Sequence, residues 1–133
     1  MTTVFADTVF YVAALNPRDA LHSAATALAA RGGMRVVTTE FVLVEVANFF
    51  AGLPNRPVFV QFLADVRADP NTEIVAASAA LFARGADLFA ARLDKEWSLT
   101  DCISFQVMQD RGLTEALTTD HHFTQAGFLI LMK

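Results

Sequence analysis

Cysteine is almost absent from this chain. Cys102 stands alone, which excludes an intrachain disulfide and any cysteine-built zinc site and fits a reducing compartment. Lysine is nearly as scarce, with only Lys95 and Lys133 among 10 basic residues. At a net charge of −4 the chain has no basic coat for non-specific nucleic-acid binding. No apolar run is long and uncharged enough to span a bilayer. The opening MTTVFADTVFYVAAL lacks a basic segment and is interrupted by Asp7, so no signal peptide is expected and the protein is placed in the cytoplasm. No GxxxxGK(S/T) loop occurs, which excludes a P-loop.

What is present is apolar. Hydrophobic residues make up 54% of 133 residues, enough for one domain, residues 1–133, with a buried core. Charged residues reach only 18%, so part of the exterior is expected to be apolar and covered by a homodimer or a partner protein.

Strand and helix patterns alternate. TTVFA reads as a buried strand ended by Asp7, and TVFYVAAL as a short helix. Asn16-Pro17-Arg18-Asp19 signals a turn, with Asn16 or Asp19 as the cap of a helix ALHSAATALAARG that stops at Gly32-Gly33. MRVVTT is a second strand. Thr39 caps a helix EFVLVEVANFFAG in which apolar residues outnumber polar ones on every side, so that it is expected to be largely buried, with Glu45 the exception. Pro57 opens PVFVQFLADVRAD, and TEIVAA is a third strand. Ser78 caps a helix with an apolar stripe of Leu81, Phe82, Leu88, Phe89 and Leu93. Ser98 or Thr100 caps DCISFQVMQDRG; EALTT and FLILM are the last strands, with a short helix after Asp120 between them. Such alternation predicts a parallel sheet covered on both faces, with right-handed crossovers.

Four acids fall at matching places in that pattern: Asp7 after the first strand, Glu45 one turn into the helix after the second, Asp101 in the first turn of a helix, and Asp120 after the fourth strand. Open parallel sheets form their sites beyond the carboxyl ends of the strands. Each acid has an ordinary alternative as a cap, a first-turn residue or a turn former. Glu45 sits among Val42, Leu43, Val44, Val46, Phe49 and Phe50, where a carboxylate is costly to bury without a cation or strong hydrogen bonds. Gathered together, the four make an oxygen-only donor set that suits Mg²⁺ or Mn²⁺ rather than zinc. They point to metal-assisted hydrolysis of a phosphate ester.

Other chemistries are weaker. A haloacid-dehalogenase-like phosphatase needs an acid two residues after Asp7, where Val9 stands, and a response-regulator receiver needs a lysine that no site strand offers. His121 and His122 could serve metal-free acid–base cleavage of RNA, but neighbouring histidines on a turn are expected to point apart, leaving them to surface or packing roles or to support of the acids. Cys102 beside Asp101 is a packing residue. Arg18, Arg56 and Arg111 are candidate phosphate contacts that read equally as solvated surface charges.

In that order, FADTVFYVAALNPRDALH, TTEFVLVEVANFF, SLTDCISFQVMQDRG and ALTTDHHFTQAGF resemble the PIN-domain family of metal-dependent ribonucleases from end to end. The resemblance implies a three-layer α/β/α sandwich around a five-stranded parallel sheet in the order 3-2-1-4-5. It implies a pocket for one or two Mg²⁺ or Mn²⁺ ions held by Asp7, Glu45, Asp101 and Asp120. Thr8 and Thr100 match the hydroxyl positions beside the first and third acids, which in the family help to position carboxylates, water or phosphate. It implies an RNA substrate and, as in VapC-like toxins, a small antitoxin partner. The alternative is a free-standing, non-catalytic interaction module of the same fold with a structural metal.

Overall fold

The computed structural model describes residues 1–132. Five strands form one sheet: β1 (Thr2–Ala6), β2 (Met34–Thr39), β3 (Thr72–Val75), β4 (Glu115–Leu117) and β5 (Leu129–Ile130). Their order is β3-β2-β1-β4-β5 and every pairing is parallel. Seven helices connect them: α1 (Thr8–Leu15), α2 (His22–Ala30), α3 (Glu40–Phe49), α4 (Arg56–Ala68), α5 (Ala79–Ala91), α6 (Leu99–Arg111) and α7 (His121–Gln125). This is the predicted sheet order. Successive strand residues point to opposite faces, and Val4, Phe5 and Ala6 are all buried, as are Val37, Thr38 and Thr39. Both faces of the two central strands are therefore covered.

Local chemistry sets the helix starts nearest the carboxyl ends of the strands. Thr39 Oγ1 accepts from the Val42 amide at 3.1 Å and opens α3. Ser98 and Asp101 form a reciprocal capping box at the head of α6. The Ser98 hydroxyl accepts from the Asp101 amide at 2.9 Å, and Asp101 Oδ2 accepts from the Ser98 amide at 3.1 Å. Gly112 ends α6 at φ 64°, a left-handed conformation that glycine adopts without strain.

Two packing contacts position the later elements. Phe123 in α7 is fully buried, with ring centroids 4.9 Å from Phe105 of α6 and 6.3 Å from Phe5 of β1. It pins the short helix whose first turn carries the chemistry. Gly85 of α5 lies so close to Ile103 of α6 that a β-carbon there would stand 2.2 Å from Ile103 Cγ1.

The structure departs from sequence expectation in several places. Helix α3 is less buried than expected: Val42, Leu43 and Val46 face the core, whereas Val44 and Phe49 are 58% and 55% exposed. High apolar content on every side hides which side faces the sheet. The α5 stripe splits likewise, with Leu81 buried and Phe82 and Phe89 exposed, and the helix ends at Ala91, leaving Leu93 exposed beyond it. Asn16 and Asp19 do not cap α2, whose N-cap is Leu21. They close the preceding turn instead, accepting from the amides of Arg18 at 3.1 Å and Leu21 at 2.8 Å. Strands β3, β4 and β5 are shorter than the expected TEIVAA, EALTT and FLILM, although the amides of Leu131 and Met132 still donate to the carbonyls of Ala116 and Thr118.

Candidate metal centre

Strand β1 is flanked by β2 on one side and β4 on the other, so the chain's winding direction reverses between β1 and β4. Asp7 follows β1, and Asp120 lies just beyond β4. The two acids thus straddle the switch point, where open α/β sheets place their ligands. The Asp7 amide extends the ladder by donating to the Leu117 carbonyl at 3.3 Å. Asp101 reaches the same place from the first turn of α6. One carboxylate oxygen from each of Asp7, Asp101 and Asp120 lies within 4.8 Å of the others.

Each carboxylate is held by its surroundings. Asp7 is the N-cap residue of α1 by position, but its side chain makes no cap hydrogen bond. Instead Asp7 Oδ2 accepts from the Thr118 hydroxyl at 3.0 Å, and that hydroxyl oxygen accepts from the Asp120 amide at 3.0 Å. Asp101 Oδ2, already in the capping box, receives His122 Nδ1 at 3.1 Å, which requires the ring proton on Nδ1. His122 Nδ1 is also 3.4 Å from Asp120 Oδ1. Asp120 Oδ1 accepts from the His122 amide at 2.9 Å.

Burial and mutual repulsion act together here. Asp7 is 4% exposed. Its pKa is pushed up to about 7, chiefly by burial, with the charges of Asp101 and Asp120 adding to the rise and the Thr8 amide and Thr118 hydroxyl opposing it. Asp101 is raised for the same first reason, with Asp120 adding and the Ser98 amide and His122 opposing. Three such groups in one hollow are a poor anion cluster and a good seat for a positive ion. Their oxygens suit a hard divalent cation.

The remaining expected residues divide. Glu45 is half-buried and lies outside the close trio; it accepts the Thr8 hydroxyl at 2.7 Å, one residue from Asp7. Thr8 thereby ties α3 to the head of α1. Thr100 is half-buried beside Asp101, and its hydroxyl makes no hydrogen bond among the described residues. Of the candidate phosphate contacts, Arg111 is forked onto Glu73 at 2.5 and 2.6 Å and Arg56 donates to the Ala51 carbonyl; Arg18 is exposed. His121 and His122 do not point apart, since their ring centroids are 4.6 Å from each other. Thr118 is the contact that sequence reasoning misses, whereas His122 takes the supporting role beside the acids that the sequence allowed. The only sequence signal for Thr118 is a polar residue at the end of a strand, two positions before an acid.

A profile of the PIN domain matches residues 4–129, and the chain belongs to the PIN-domain family. It is 29% identical over 126 residues, 95% of each chain, to a Mycobacterium tuberculosis protein named 23S rRNA-specific endonuclease VapC20. The crystal structure of M. tuberculosis VapC20, described as a sarcin-ricin loop cleaving toxin, matches with a TM-score of 0.88 at 28% identity, covering 98% of this chain and 99% of that one. VapBC2 from Rickettsia felis, solved with a DNA fragment from its promoter, shares the fold at a TM-score of 0.68 and 14% identity, over 97% of both chains. No helix among the described residues is long and apolar enough to cross a membrane.

Proposed function

We propose that this protein is a Mg²⁺- or Mn²⁺-dependent endoribonuclease that hydrolyses phosphodiester bonds of RNA, acting in the cytoplasm as the toxin of a VapBC-type pair. The observation that carries this reading is the convergence of Asp7, Asp101 and Asp120 at the switch point, their oxygens within 4.8 Å of one another. The name of the VapC20 relative makes ribosomal RNA the first substrate to test.

Asp7, Asp101 and Asp120 would hold the cation. When bound, it offsets phosphate charge and acidifies water. The protein's own groups supply position. Thr118 fixes the Asp7 carboxylate and the Asp120 backbone at once. His122 and the Ser98 amide both donate to Asp101 Oδ2, which sets the plane of that carboxylate and leaves Oδ1 without a donor. Thr8 holds one oxygen of Glu45, and the other oxygen is left to take a proton from water or to meet a second cation. Preorganised charge of this kind carries most of the rate gain in such sites.

Partners follow from the surface. Phe82 and Phe89 on α5, Leu93 just beyond it, and Val44, Phe49 and Leu53 around the end of α3, are exposed, which supports a protein partner: a second copy, an antitoxin, or both.

The test is cleavage of ribosomal RNA by the wild type, Asp7→Asn and Asp101→Asn with Mn²⁺ and with EDTA. Cleavage by the wild type alone, abolished by chelator, is the expected result. Cleavage that survives both substitutions or excess EDTA would sink the metal mechanism. Binding of RNA without turnover would favour a non-catalytic interaction module.

A further inference from the structure

His121, the first histidine of the pair, makes no hydrogen bond to the acidic trio among the described residues. We propose that Asp120, His121 and His122 form a zinc site that competes with the Mg²⁺ or Mn²⁺ site by taking a shared ligand. Its inhibitory effect rests on the nuclease reading; the binding of zinc does not.

Geometry carries the proposal. One ligand atom from each of the three residues lies within 4.8 Å of the others. Asp120 Oδ1 is 3.4 Å from His122 Nδ1 and 3.8 Å from His121 Nδ1. Zinc binds nitrogen and oxygen at about 2.0–2.1 Å, which sets the edges of its tetrahedron at about 3.3–3.4 Å. The first separation already matches that edge, and the second needs a small turn of one ring. His121 can make that turn: its side chain is 73% exposed and forms no hydrogen bond among the described residues. Two imidazoles and a carboxylate, with a fourth position open, are a recurrent zinc donor set.

The chemistry of the two donor sets separates their metals. Asp7, Asp101 and Asp120 offer only oxygen and suit a hard cation, whereas imidazole nitrogen favours zinc strongly over magnesium or manganese. The sets overlap at Asp120. Zinc on His122 Nδ1 would also displace the proton that this atom donates to Asp101 Oδ2 at 3.1 Å, leaving the neutral ring protonated on Nε2, so that support is lost. One event removes an acid from the trio and frees a second from its orienting donor. Zinc bound here is therefore an inhibitor, not an activator. His121 is the residue that distinguishes this site, because none of its side-chain contacts reaches Asp7 or Asp101.

The experiment compares the wild type with His121→Ala in the full chain. Zinc affinity is measured by calorimetry without other metals, and the ligand set by the visible bands of Co²⁺ used as a probe. Zinc is then titrated into Mn²⁺-supported RNA cleavage. The wild type should show the intense bands of four-coordinate cobalt. His121→Ala should bind zinc at least about tenfold more weakly, need correspondingly more zinc for half-inhibition, and cleave normally without zinc. Equal zinc affinity in the two proteins would overturn the proposal. Should the wild type cleave no RNA, the nuclease reading falls, and the calorimetric and cobalt comparisons alone decide the zinc site.

Discussion

The hydroxyl of Thr118 donates to Asp7 Oδ2 at 3.0 Å across 111 positions of sequence, and its oxygen accepts the amide of Asp120 at 3.0 Å. One side chain thus aligns two of the three clustered acids. Thr118→Val keeps the shape and removes both bonds. Cleavage should fall about 10- to 100-fold, the usual cost of losing a group that orients a metal ligand, with partial recovery at higher Mn²⁺. Thr118→Ser should retain most activity. A valine variant with wild-type kinetics at low Mn²⁺ would show that the hydroxyl does not position the site.

Metal-free stability should depend on pH in an uncommon direction. Asp7 has a folded pKa of about 7 against an ordinary value of 3.8. Between those values the folded state holds a proton that the unfolded state has lost, so stability falls as pH rises through that window and levels off above it. The difference corresponds to about 4 kcal/mol at most, and the upward shift of Asp101 acts in the same sense. Urea unfolding in EDTA from pH 4 to 8 measures it. Asp7→Asn should flatten the curve and be the more stable protein near pH 8. A wild type whose stability climbs over this range would refute the account.

A divalent cation should reverse that penalty. At pH 8, Mn²⁺ in about hundredfold excess over its dissociation constant should stabilise the fold by about 2.7 kcal/mol, seen as a rise in Tm of several degrees. The rise should shrink sharply in Asp7→Asn and in Asp101→Asn. An equal Tm shift in all three proteins would place the cation elsewhere.

Gly85 links the outer helices to the site. A methyl group there meets Ile103 Cγ1 at 2.2 Å and Ile103 backbone atoms at 3.2 Å. The side chain can give way, but the α6 backbone has little room. Gly85→Ala should destabilise by about 1–3 kcal/mol, the usual cost of overpacking. It should also lower cleavage, because Ile103 is two residues from Asp101. Adding Ile103→Ala, which removes Cγ1, should cost less in the Gly85→Ala background than in the wild type, without full relief because the backbone contacts remain. Denaturant midpoints of the single and double variants test this.

The central sheet is legible because its strands are short apolar runs ended by polar turns. Asp7 and Asp120 are legible as strand-end acids for the same reason. Helix starts at Thr39, Ser78 and Ser98 follow from local capping chemistry. What sequence pattern cannot give is facing. Val44 and Phe49 look as core-like as Val42 and Val46, because α3 carries apolar residues all round and only the packing selects a side. The same holds for Phe82 and Phe89 on α5. The contact of His122 with Asp101 depends on how α7 docks through Phe123 onto Phe105, a long-range event with no local sign. Thr118 reads as an ordinary strand residue until β4 is laid beside β1.

The placement of β1 between its sequence neighbour and a strand from near the other end has a consequence for biosynthesis. Asp7 is synthesised 111 positions ahead of its companion Thr118, and Asp120 comes later still. A nascent polypeptide still lacking them has Asp7 and Asp101 but neither Asp120 nor the Thr118 hydroxyl that orients Asp7. On the proposed reading, cleavage is withheld until the segment that carries Thr118 and Asp120 has been made.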